Sequence, residues 1–172
     1  STALPHRVDP DKMTTIPEPI SASSDTDSAL QLRLKAAGPL PRHIAIIMDS
    51  DRRWADKKGL KRTEGHRHGR ETAREIVRTC GELQIDVLTL YTFSTENWTR
   101  PRLEVEALMQ YVEHSLRNET PELNDNNVRL NAIGRTQDLP GRVQRALRDA
   151  LAATADNDGL LLNLALNYGG RT

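Results

Sequence analysis

At 172 residues, with 24 Lys plus Arg against 24 Asp plus Glu, the chain has room for one domain with a sizeable core and no net charge to draw it to nucleic acid. Its lone cysteine, Cys80, excludes a disulfide framework and a thiolate metal site and suits a reducing, cytoplasmic setting. No apolar run nears the ~20 residues that span a bilayer and no signal-peptide core opens the chain, so any membrane contact is expected to be peripheral.

Residues 1–27 are rich in Pro, Ser, Thr and Asp and lack apolar periodicity, which reads as a disordered arm, leaving residues 28–172 to fold. A short helix is expected around Ala29 to Ala37, stopped by Gly38, Pro39 and Pro41. The apolar run Ile44–Met48 reads as a buried strand. Ala73, Ile76, Val77, Cys80 and Leu83 recur at helical spacing, predicting an amphipathic helix over Arg67 to Gln84 with Cys80 on its apolar side. Val87 to Phe93 is a second strand. Leu103, Leu108, Met109, Val112 and Leu116 mark a long helix opening after Pro101. Val128 to Ile133 is a third strand ending at Gly134, Val143 to Leu151 a helix with Pro140 near its start, and Leu160 to Leu166 a fourth strand closed by Asn167-Tyr168-Gly169-Gly170. Strands alternating with helices predict an α/β fold with a mainly parallel sheet and helices on both faces.

Charge is uneven along this frame. Between Arg42 and Arg74 stand ten Lys and Arg residues against five Asp and Glu, with His43, His66 and His68 among them. Ligands of open parallel sheets bind outside the carboxyl ends of the strands, and the first strand delivers Asp49-Ser50-Asp51-Arg52-Arg53-Trp54 there. A carboxylate supplies an oxygen ligand to a hard cation, and Arg forks pair with phosphate oxygens two at a time. The glycine-punctuated segment Gly59–Gly69 adds Lys61, Arg62, His66 and Arg67 ahead of a helix N-terminus, itself a place for anions. Asp49 alone would suit a helix cap; Asp49 followed in order by Arg52, Arg53, Arg62 and His66 points to a Mg²⁺–diphosphate site.

His43-Ile44-Ala45-Ile46-Ile47-Met48-Asp49-Ser50-Asp51-Arg52-Arg53-Trp54-Ala55 resembles the opening motif of the cis-prenyltransferases, the undecaprenyl or polyprenyl diphosphate synthase family. The resemblance continues through Gly65-His66, Thr89–Pro101, Asn127–Leu130 with Ile133-Gly134, and Asn163–Arg171, in order and with spacing kept from about Leu40 onward. It implies a transferase that condenses isopentenyl diphosphate with an allylic isoprenyl diphosphate. Asp49 would hold Mg²⁺ against the diphosphate. Ser50, Asp51, Arg52, Arg53, Trp54, Arg62 and His66 would surround the allylic diphosphate, with Arg53 and Arg62 gripping it. Ser94, Asn97, Trp98 and Arg100 would form a flexible loop over both substrates, with Asn97 at the position linked to proton removal; for Trp98 a packing anchor is the alternative. The resemblance also implies a homodimer, and residues 28–172 as the N-terminal part of a single domain.

Two departures stand out. The family has Gly and Asn where this chain has Ser50 and Asp51, and a second carboxylate beside a diphosphate is repulsive, at about tenfold in binding per 1.4 kcal/mol. The family also continues beyond the point reached by Thr172 with the motif that cradles isopentenyl diphosphate, so activity of this chain alone is expected to be impaired. The competing reading is a non-catalytic diphosphate-binding or partner subunit. Nucleic-acid binding has little support: the chain holds two Trp, three Tyr and one Phe and no recognised module.

Overall fold

The computed structural model describes residues 27–48, 51–59 and 61–170. The chain divides after Ala37. The first part contributes one described helix, α1 (Asp27–Ala37), which ends at Gly38, whose φ of 145° no residue with a side chain adopts readily. Of the arm expected over residues 1–27, all but Asp27 lies outside the described residues.

From Gly38 onward, β1 (His43–Ile47), β2 (Val87–Ser94), β3 (Arg129–Ile133) and β4 (Leu161–Tyr168) form one parallel sheet in the order β1-β2-β4-β3. Parallel neighbours require each connection to carry the chain back along the sheet. Helices α2 (Asp51–Lys58) and α3 (Arg62–Glu82), then α4 (Arg102–Asp125), then α5 (Gly141–Ala153) do so. This is the parallel α/β sheet expected from strands alternating with helices in the sequence.

The register aligns His43, Val87, Leu161 and Arg129 across the sheet, so residues at matching positions share a face. Ile44, Leu88, Leu90, Leu162 and Leu130 face the core, where they meet Ala73 and Val77 of α3, Met109, Val112 and Leu116 of α4, and Val143, Ala146 and Leu147 of α5. Burying each such Leu or Val contributes about 1.5–3 kcal/mol. Cys80 belongs to the same cluster, and burial pushes its thiol pKa up. The opposite face carries a polar ladder: His43 Nε2 lies 2.8 Å from Thr89 Oγ1, Asn163 Nδ2 donates to Thr89 Oγ1 at 3.5 Å, and Asn131 Nδ2 donates to Asn163 Oδ1 at 2.8 Å.

Two expectations differ from the structure. The first strand is not fully buried: it is an edge strand, its residues alternate between exposed and half-buried, and Ile47 is 76 % exposed. The helix expected from Arg67 starts at Arg62, inside the glycine-punctuated segment, and is preceded by α2, where the sequence reads as a run of charged residues. Glycine weakens a helix by about 1 kcal/mol in its interior. Here Gly65 and Gly69 are buried four residues apart on one side of α3, α2 packs against α3, and Ala55 of α2 is fully buried. Small residues let two helices approach closely, and that packing overrides the local propensity.

Candidate active site

Because all four strands run the same way, their carboxyl ends gather at one end of the sheet. Met48 N donates to Tyr91 O at 3.2 Å, extending the ladder one residue past β1, so the Asp49 motif begins at that end. Asp49 and Ser50 themselves lie outside the described residues. Of Asp51, Arg52, Arg53, Trp54, Arg62 and His66 the backbone alone is described: the first four open α2 and the other two lie in the first turns of α3. An acidic residue at the first position of α2 suits the positive end of the helix dipole, which is a physical reason for Asp51.

Beside this end a cavity of about 790 Å³ lies between the sheet and helices α3 and α4. Its mouth includes Met48, Ser94, Asn97, Arg100, Gly169 and Gly170, and its walls are Val77, Leu90, Leu108, Leu116, Leu164 and Leu166. The apolar side chains of the sheet face form one part of the lining, and charged residues of α3 and α4, among them Arg70, Arg74, Glu119 and Glu122, form another; a largely apolar cleft with a few polar groups is the usual form of a small-molecule site.

The segment after β2 is an ordered 3-10 turn, Thr95–Thr99. Ser94 N donates to Asn97 Oδ1 at 3.0 Å, and the Ser94 hydroxyl accepts from the Asn97 backbone N–H. Asn97 Oδ1 thus helps hold the turn with one of its two lone pairs, and its amide N–H groups can serve a ligand. Arg100 Nη1 donates to Glu104 Oε1 at 3.1 Å. The Trp98 indole N–H donates to Asn167 Oδ1 at 2.8 Å, and its ring meets Phe93 edge to face at 5.1 Å. Ser94, Asn97 and Arg100 line the cavity, whereas Trp98 packs on Phe93 and bonds to Asn167 beside it.

Sequence reasoning missed two cations in the wall. Arg70 and Arg74 both line the cavity; Arg70 lies 5.7 Å over the Tyr111 ring, and Arg74 bridges from α3 to Glu119 at 2.5 Å and Glu122 at 3.3 Å on α4. Their signal was present, since both fall on the apolar side of α3 with Ala73 and Val77. Tyr91, at the rim, was read only as strand. Its hydroxyl donates to Tyr168 O at 3.1 Å, and burial, followed by the nearby Tyr168 and Glu96, pushes its pKa up, so it stays a protonated donor.

The family model described as "Putative undecaprenyl diphosphate synthase" matches residues 47–172. The chain belongs to this prenyltransferase family. An isoprenyl transferase of Clostridium acetobutylicum is 52 % identical over 132 residues, covering 77 % of this chain and 51 % of that protein. The isoprenyl transferase of Bacillus subtilis is 49 % identical over 135 residues, covering 78 % and 52 %. Among solved structures, lavandulyl diphosphate synthase from Lavandula x intermedia, in complex with dimethylallyl diphosphate, superposes with a TM-score of 0.72 at 35 % identity, over 76 % of this chain and 56 % of the other. A "probable undecaprenyl diphosphate synthase" from Campylobacter jejuni gives a TM-score of 0.64 at 30 % identity, over 78 % and 58 %. The chain therefore spans about half the length of the curated isoprenyl transferases it matches. No helix among the described residues is long and apolar enough to cross a membrane.

Proposed function

We propose that this prenyltransferase chain binds an allylic isoprenyl diphosphate, for condensation with isopentenyl diphosphate into a longer polyprenyl diphosphate. The observation that carries the reading is a cavity with an apolar sheet wall that reaches the strand ends, directly after the first of which the cation-rich motif begins. An isoprenyl diphosphate is the matching amphiphile: its hydrocarbon lies along Val77, Leu90, Leu116 and Leu164, and its diphosphate stands toward Arg53, Arg62 and His66. Ser50, Arg52 and Trp54 complete that surround, with Asp51 the carboxylate the diphosphate must tolerate.

Mg²⁺ suits the donor set available. Mg²⁺ takes few protein ligands and completes its shell with phosphate and water, which suits a single carboxylate beside a diphosphate. Asp49 would be its protein ligand, and the ion would neutralise charge developing on the departing diphosphate. Arg53 and Arg62 hold the same oxygens in place as the allylic C–O bond opens. Asn97, fixed by Ser94, orients the incoming isopentenyl unit at the carbon that loses its proton; a neutral amide is too weak a base to keep an abstracted proton, so its part is orientation and the proton passes to the departing diphosphate. Arg100 and Ser94 face the second diphosphate. The homodimer, the cytoplasmic setting and a peripheral contact with membrane belong to the same reading and rest on family membership.

Calorimetric titration tests it. Farnesyl diphosphate is expected to bind at least ~100-fold more tightly than inorganic pyrophosphate, since sheltering about four carbons of the tail contributes about 3 kcal/mol. Equal affinity for the two would remove the hydrocarbon from the account.

A further inference from the structure

We infer that Asn167 is a positioning residue for the Ser94–Arg100 turn, acting through the indole of Trp98. Asn167 is buried near the end of β4 in the left-handed region, with φ 51°. Its side chain is used at both ends: Oδ1 accepts the Trp98 indole N–H at 2.8 Å, and Nδ2 donates to Arg135 O at 2.9 Å. Its backbone carbonyl accepts from Arg135 N at 3.1 Å. One residue thereby joins three segments: the end of β4, the loop after β3 and the turn after β2.

The ladder that pairs Ser94 with Tyr168 locates the start of the turn, and the remaining hydrogen bonds beyond it are local. The Ser94–Asn97 pair and the Thr99 Oγ1 bond to Glu96 O, 2.8 Å long, are internal to it. Arg100 N donates to Asn97 O at 3.1 Å, within the turn, and its guanidinium to Glu104 at the start of the next helix. The bond from Trp98 to Asn167 spans 69 residues and ties the turn to the sheet. Asn97 is bonded to Ser94 on one side and stands one residue before Trp98 on the other, so the tether fixes the far side of the turn that carries the Asn97 amide. The position demands an acceptor and a donor on one short side chain together with a left-handed backbone, which Asn supplies. Its catalytic consequence rests on the proposed function; the tether itself does not.

Exchange of the Trp98 indole hydrogen, followed by ¹⁵N–¹H NMR on the chain without ligand, tests the assignment; Trp54→Phe distinguishes it from the other indole of the two. In the unsubstituted chain the Trp98 hydrogen is expected to exchange slowly. Asn167→Gly keeps the left-handed backbone and deletes both side-chain bonds, and should speed exchange about fivefold, the effect of one lost hydrogen bond. Asn167→Asp keeps the acceptor and should preserve protection. An indole exchanging at the free rate in the unsubstituted chain, unchanged protection in Asn167→Gly, or loss of protection in Asn167→Asp would each overturn the proposal. Should Asn167→Gly fail to fold, the other two measurements decide. The readout needs no substrate, so its failure is distinct from failure of the diphosphate reading.

Discussion

Replacing Gly134 with Ala is expected to lower the stability of the chain by about 4 kcal/mol or more, a large part of the ~5–15 kcal/mol that holds a domain together. Gly134 closes β3 with φ 115°, a conformation open to glycine and costly to any residue with a Cβ. Space compounds the strain. A Cβ built there would lie 2.1 Å from Leu166 O and 3.1 Å from Asn167 O, both backbone atoms of β4 that no rotamer change can move aside. The loop would have to lift off β4, taking with it the Arg135 N bond to Asn167 O. Urea unfolding measures the loss: with a slope of about 2 kcal/mol/M, the midpoint should fall by roughly 2 M. A midpoint within ~0.3 M of the unsubstituted chain would show that β3 and β4 do not end in this close approach.

Ala73→Phe is expected to weaken farnesyl diphosphate binding about 100-fold while leaving pyrophosphate binding unchanged. Ala73 is a half-buried residue of α3 that lines the cavity beside Val77. A phenyl ring at that position projects into space the isoprenyl tail would occupy. Excluding about four carbons of the tail removes about 3 kcal/mol. The rim groups are untouched, so the anion keeps its partners. Parallel titrations with the two ligands make the comparison. An equal loss for both would mean that the substitution disturbs the rim or the fold, and no loss for either would place the hydrocarbon elsewhere.

The sequence was legible where one physical demand dominated. Short apolar runs located the four described strands, period-3.6 patterns the helices α3, α4 and α5, and the Gly and Pro after Ala37 the end of α1. Helix α2 was illegible: Asp51–Lys58 is nearly all charged, and what fixes it is Ala55 buried beside α3, a contact that no local pattern announces. Gly65 and Gly69 misled in the same way, as turn signals that serve helix packing. In the site, Ser94, Asn97 and Arg100 were found by motif order and do line the cavity. The anchoring role of Trp98 became visible only when the fold brought Asn167 to it from 69 residues away, and Asn167 itself, read as a strand-closing residue, gave no sign of its tether. Arg70 and Arg74 were hidden because cations on an apolar helix side read as solvated charge until Tyr111, Glu119 and Glu122 of α4 are placed opposite them.

The proposal depends most on Asp49, the carboxylate that follows β1 and would hold Mg²⁺ to the allylic diphosphate. Farnesyl diphosphate titrated into the chain with and without Mg²⁺, and again into Asp49→Asn, measures that role. The account predicts that Mg²⁺ tightens binding by at least ~30-fold in the unsubstituted chain, about 2 kcal/mol, and by little in Asp49→Asn. Affinity that is the same with and without the metal, or an equal metal effect in Asp49→Asn, would contradict it.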